Sequence, residues 1–148
     1  MIYTGTVREI KKILVPIDGS PNSKRGLEMA ITLARQCGAT LTGLISIETP
    51  PVSELKGVGS VSKSVQQEAK GFLEEAKTAS ARKGIVFRSK LVHGNIGYNI
   101  IREAHSKDGP FDLVVVGSRG RSRTREAFFG SVSNYVVHES KVPVLVVK

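Results

Sequence analysis

Residues 112–131 read Asp112-Leu-Val-Val-Val116-Gly117-Ser-Arg-Gly120-Arg-Ser-Arg-Thr-Arg-Glu-Ala-Phe-Phe-Gly130-Ser131. An apolar run without polar alternation is the pattern of a strand buried on both faces, which belongs to a parallel sheet with helices on each side. The run empties into a glycine-punctuated, arginine-rich loop, and a second Gly-Ser opens the pattern of a helix. Glycines let backbone N–H groups approach a ligand, and a helix N-terminus adds unpaired donors and partial positive charge. Gly117 and Gly120 are expected to bring amides to a phosphate, with Arg119 beside them. Gly130 and Ser131 are expected to present a helix start and a hydroxyl donor.

Working outward, the same unit recurs. Ile13-Leu-Val-Pro-Ile17 is a short apolar strand ending in Asp18-Gly19-Ser20-Pro21, where Ser20 as N-cap and Pro21 at the first helical position start a helix. Leu27, Ala30, Ile31, Ala34 and Cys37 follow at helical spacing, and Gly38 stops the helix. Thr40 to Ile47 is a second strand. Residues 49 to 62, with Pro50-Pro51 and scattered glycine and serine, predict a loop. Val65, Ala69, Phe72, Leu73, Ala76 and Ala79 line one face of a second helix that ends at Gly84. Val86 to Val92 is a third strand. Asn95 caps a third helix carrying Ile96, Ile100, Ile101 and Ala104, closed by Gly109-Pro110. Leu113 to Val116 is the fourth strand. Ser131 to His138 is a last helix with Val132, Val136 and Val137 inward, and Val142 to Val147 is the fifth strand.

Five strands alternating with four helices predict a single doubly wound, Rossmann-like α/β domain over residues 8–148, with residues 1–7 as a short extension. Right-handed crossovers and helices on both faces imply a doubly wound sheet, and if the chain winds outward through strands two and three and returns to place strand four beside strand one, the order is 3-2-1-4-5. Ligands in such sheets bind at the carboxyl ends of strands where the winding reverses, here between strands one and four. Those strands end in Asp18-Gly19-Ser20 and in Gly117-Ser-Arg-Gly120, the segments already singled out by residue chemistry. Pro16, Ile17 and the end of strand two would supply an apolar wall for a base. Asp18 is an anion, so it suits ribose hydroxyls, an adenine amine or a magnesium ion rather than phosphates. Spacing alone leaves the bland readings open: a turn with a solvated arginine loop, and Asp18 as a helix-start residue. The Walker pattern and the three-glycine dinucleotide fingerprint are both absent.

Composition narrows the partners. The chain has 148 residues, 40% apolar and 24% charged, with a formal net charge of +9. The charge favours anions, and Arg119, Arg121, Arg123 and Arg125 concentrate part of it beside the glycine loop. No apolar run exceeds about five residues, against the roughly 20 that span a bilayer. The N-terminus lacks a signal-peptide apolar region, so a cytoplasmic protein with no membrane partner is expected. Cys37 is alone, which leaves no internal disulfide or thiolate zinc cage, and it is read as a buried or semi-buried small apolar residue. Three Tyr and five Phe are too few to interleave with the basic residues as a stacking platform, which argues against nucleic acid.

Gly117-x2-Gly120-x9-Gly130-Ser131, with Ile13 to Ser20 at one end and Val142-Pro-Val-Leu-Val-Val147 at the other, resembles the ATP-binding subgroup of the universal stress protein family. The resemblance runs from about Lys12 to Lys148. It implies a small α/β regulatory module in stress response, usually a homodimer, with ATP as the ligand, and leaves open whether the phosphates carry Mg2+ or Mn2+. Carried over by position, Pro16 and Asp18 would contact the adenosine portion, with Ser46 near adenine and Val116 beside it. Gly117, Gly120, Gly130, Ser131 and Val132 would hold ribose and phosphates. Ile45-Ser46 departs from the His-Val common at the end of the family's second strand, and Arg123 and Arg125 make the loop more basic than phosphate binding requires.

Catalytic machinery is sparse. His93, His105 and His138 fall in separate segments at no metal-ligand spacing, and no Gly-x-Ser-x-Gly elbow occurs. No catalytic or metal-ligating residue is assigned, and slow or partner-stimulated ATP hydrolysis is the most the residues allow. The competing expectation is an anion or nucleic-acid binder driven by net charge. Strand five, apolar and at the sheet edge, is expected to pair with a second copy through residues 142 to 147.

Overall fold

The computed structural model of the chain describes residues 8–48, 58–119 and 130–148, the side chains of 58–62 excepted. Residues 49–57 of the expected loop, Gly120, and Arg121, Arg123 and Arg125 lie outside them. The elements are β1 (Lys12–Pro16), α1 (Pro21–Cys37), β2 (Thr40–Ile47), α2 (Val58–Ala81), β3 (Phe87–His93), α3 (Ile96–Ala104), β4 (Leu113–Gly117), α4 (Ser131–Glu139) and β5 (Val144–Val147). All four strand pairings are parallel and the order is β3-β2-β1-β4-β5, the expected one.

Each face of the sheet carries two helices because alternate residues of the inner strands are apolar on both sides. Ile13 and Val15 of β1, with Leu113 and Val115 of β4, pack against Ala30, Ile31 and Ala34 of α1. On the same side Ile17 and Ile45 meet Ala69, Leu73 and Ala76 of α2. On the opposite side Leu14, Leu44, Val114 and Val116 meet Ile100 and Ala104 of α3 and Val136 of α4. Ile13, Leu14, Val15, Val114 and Val115 are fully buried. Cys37 is half-buried at the end of α1, packed against the first of these clusters.

Local signals set the helix ends. The Ser20 hydroxyl accepts the Ser23 amide at 3.1 Å with Pro21 in the first turn, and Gly38 closes α1 in the left-handed region. The Asn95 side chain accepts the Tyr98 amide at 2.9 Å. At the amino end of the sheet, Asp112 Oδ2 accepts the amides of Lys11 and Lys12, each at 2.9 Å, tying the entry of β1 to that of β4.

Five expectations need correction. Helix α2 begins at Val58, so the last residues of the expected loop are helical. The third strand starts at Phe87, leaving Val86 exposed before it, and as an edge strand it turns Arg88, Ser89 and Lys90 to solvent. Helix α3 ends at Ala104, ahead of Gly109-Pro110, where the His105 amide folds back on the Ile101 carbonyl. Of the three valines expected inward on α4, only Val136 is buried; Val132 and Val137 are exposed. The edge strand β5 begins at Val144, two residues later than expected. Among the described residues, no helix is long and apolar enough to cross a membrane.

Candidate functional site

Strands β1 and β4 are neighbours whose following helices lie on opposite faces, so the sheet parts at their carboxyl ends. A cavity of about 570 Å³ opens there. Pro16, Ile17, Asp18, Ser46, Val116, Gly117, Arg119, Gly130, Ser131 and Val132 all line it. Every candidate residue is therefore on one wall or another, apart from Gly120, which lies outside the described residues.

The β1–α1 turn is held by its own side chains. Asp18 Oδ1 accepts the Ser20 amide at 2.8 Å, while the Asp18 amide donates to the Ser23 hydroxyl at 3.0 Å. Asp18 thus serves the helix start and also faces the cavity, so the two readings of this residue are compatible. Phe72 of α2 closes over the turn: a Cβ on Gly19 would lie 2.3 Å from the ring.

Across the cavity, α4 presents its amino end. The Gly130 amide is already engaged, donating to the Ser118 carbonyl at 2.7 Å. Ser131, Val132 and Ser133 line the cavity, and their amides precede the first intrahelical bond, which runs from the Asn134 amide to the Gly130 carbonyl. Gly130 has no side chain to cap them. The buried Ser133 hydroxyl lies within 3.0 Å of the Ser118 and Gly130 carbonyls, fastening the turn beneath. A helix terminus of this kind offers converging N–H groups and the positive end of a dipole.

Gly117 plays a part the sequence did not disclose. It is the last residue of β4, and a Cβ there would lie 2.7 Å from the Asn22 carbonyl oxygen in the first turn of α1. Its missing side chain lets α1 settle against the strand.

The far wall is apolar. Leu44, Ile45 and Ile47 of β2, Val65, Ala69 and Phe72 of α2, and Ile96 and Ile100 of α3 contribute to it. Val65 and Val132, each 37% exposed, both border this opening. Sequence reading named none of the α2 residues as site residues, although Val65, Ala69 and Phe72 stood on the predicted apolar face. The available signal was topological: the helix after strand two covers the carboxyl end of that strand. Among the described residues the carboxylates at the cavity are Asp18, Glu48 and Glu68, and none of the three histidines lines it.

Comparison with known proteins places this arrangement among relatives. The model of the universal stress protein family matches residues 9–148. Universal stress protein YxiE of Bacillus subtilis is 32% identical, over 93% of this chain and 98% of the relative. The solved structure of MJ0577, from Methanocaldococcus jannaschii, is 26% identical with a TM-score of 0.86, covering 95% of this chain and 97% of that one. The universal stress protein from Archaeoglobus fulgidus, solved in complex with dAMP, is 23% identical with a TM-score of 0.67, covering 95% and 100%; at that identity the likeness is one of fold.

Proposed function

The chain belongs to the universal stress protein family, and from that premise we propose that it is an ATP-binding regulatory module of the stress response, acting in the cytoplasm as a homodimer. The observation that carries this reading is the division of one cavity into two chemically distinct ends. At one end stand the first turn of α4 and Arg119; at the other, the aliphatic wall of β2 and α2. Amides and a guanidinium suit phosphates, and an apolar slot suits a purine. The volume falls within the roughly 300–1,000 Å³ of small-molecule sites. The dAMP held by the Archaeoglobus protein is of the same ligand class.

In this pose the phosphates lie against Ser131 and Val132, and Asp18, set back on the β1 side, faces ribose hydroxyls. Among the described residues no group of three His, Cys, Asp or Glu side chains could hold a metal ion. Mg2+ or Mn2+ would therefore be carried mainly by the phosphates. Binding, rather than turnover, is the function these residues support, with the nucleotide selecting one arrangement of the segments around the cavity. Calorimetric titration with ATP, ADP and AMP tests the reading. Affinity rising with each added phosphate supports it; no heat with any of the three refutes it.

A further inference from the structure

The two edges of the sheet are built differently. β5 presents four aliphatic residues, whereas β3 reads Phe87-Arg-Ser-Lys-Leu-Val-His93 and turns Arg88, Ser89 and Lys90 to solvent. β3 pairs with β2 in unbroken parallel register from Phe87 to His93, and among the described residues no strand pairs with its other side. Backbone parity fixes which groups face outward. The Val86 carbonyl accepts the Leu41 amide at 3.0 Å and the Gly94 amide donates to the Ile47 carbonyl at 2.9 Å, so the even-numbered residues bond to β2. Alternate residues of a parallel ladder turn both backbone groups to one side. Phe87, Ser89, Leu91 and His93 therefore hold theirs toward the open edge. That edge runs for about 23 Å, with neither a proline nor a bulge to interrupt it.

Positive charge frames this backbone. Arg82, Lys83 and Arg88 are exposed, and among the described residues none of the three forms an ion pair, whereas Lys90 is tied to Glu103 at 2.6 Å. Val86, 61% exposed, stands between them in the chain. Charges on an edge strand keep it from pairing with a like-charged copy, and a second chain of net charge +9 meets that barrier here. The same charges draw in an acidic strand. We propose that the outer edge of β3 is a docking site for an extended acidic segment of a partner protein, added to the five-stranded sheet as a further strand. Main-chain bonds to Ser89 and Leu91 hold the segment, and its carboxylates beside Arg82, Lys83 and Arg88 set the choice of partner. Nucleic acid would answer to the same charges but not to a line of open strand amides and carbonyls. The site is separate from the cavity, whose lining among the described residues includes nothing from β3.

The probe is a capped peptide of about eight residues alternating glutamate with valine, a length matched to the edge. It is titrated into the full chain at low ionic strength while amide hydrogen exchange is followed by NMR. In the free protein the outward amides of Ser89 and Leu91 are expected to exchange faster than the inward amides of Arg88, Lys90 and Val92. Saturating peptide should slow Ser89 and Leu91 by about tenfold or more. Affinity should fall as salt rises, and the same peptide with lysine for glutamate should not bind. Arg88→Glu turns attraction into repulsion and should weaken binding about tenfold. Ser89→Pro removes only an outward amide, a change edge strands tolerate, and should remove binding while the fold stays intact. Should that variant fail to fold, the exchange pattern and Arg88→Glu decide. No binding at millimolar peptide, equal binding of the lysine peptide, binding unimpaired by Ser89→Pro, or binding that leaves Ser89 and Leu91 exchanging as before overturns the proposal. Binding of oligothymidylate in place of the peptide assigns the charges to nucleic acid and overturns it as well.

Discussion

Gly117 at the end of β4 abuts Asn22 in the first turn of α1 so closely that a methyl group would meet the Asn22 carbonyl oxygen at 2.7 Å and the Ser23 amide nitrogen at 3.1 Å. The obstacle is backbone, which cannot swing aside as a flexible side chain would. Gly117→Ala is therefore expected to cost about 1–3 kcal/mol, the range for overpacking a filled site. Urea unfolding measures it, and unchanged stability would show that α1 can lift from the strand freely.

Gly130 behaves differently. Its φ of −61° and ψ of 163° suit any residue at an N-cap, and an aspartate there would turn its carboxylate onto the first-turn amides. Gly130→Asp is expected to keep or raise the stability of the unliganded protein by a few tenths of a kcal/mol, because glycine is only slightly poorer than aspartate as a cap. The same carboxylate fills the anion site with like charge, so ATP affinity should fall by tenfold or more. Thermal unfolding and calorimetry on one preparation separate the two effects. Retained affinity would move the phosphates away from α4.

Asp112 supplies a control at the opposite end of the sheet. Its carboxylate is 18% exposed and takes two backbone amides, whereas its Arg8 partner is 62% exposed at 3.7 Å and adds little. Asp112→Ala is expected to lose about 1.5–3 kcal/mol, the worth of hydrogen bonds to a charged group. Nucleotide affinity should not change, because the residue lies at the amino ends of the strands. A matching loss of ATP binding would mean that the cavity depends on the whole sheet rather than on its local turns.

The edge strand β5 bears on assembly. Val144, Leu145, Val146 and Val147 are all only partly buried, with one side of the strand unpaired in the single chain. Exposed apolar edges invite strand pairing, and a dimer is the expected species in sedimentation at micromolar concentration. A monomer at that concentration would remove the homodimer from the proposal.

Much of this was legible because its causes are local. Ser20-Pro21 and Gly38 bound α1, unbroken apolar runs mark β1 and β4, and winding outward from β1 before returning to its other side orders the strands. From that order followed the place of the cavity and its walls from β1, β4 and α4, but not those from α2 and α3. The start of α2 was not legible, since Val58-Gly-Ser-Val-Ser has weak helix formers and no cap signal. Val132 was read as core on its helix face and, by resemblance, as a ribose and phosphate contact; it is exposed and borders the cavity. Gly117 was recognisable as a special position, and its contact with Asn22 was not.

The location of the nucleotide is tested most directly by following backbone amide resonances during an ATP titration. Ser131, Val132 and Ser133 should shift most, with Ile45 to Ile47 shifting at the base end, while Lys11, Thr40 and Lys83 at the other end of the sheet stay still. Shifts confined to residues remote from the cavity, or none at millimolar ATP, would show that the amino end of α4 does not hold the phosphates.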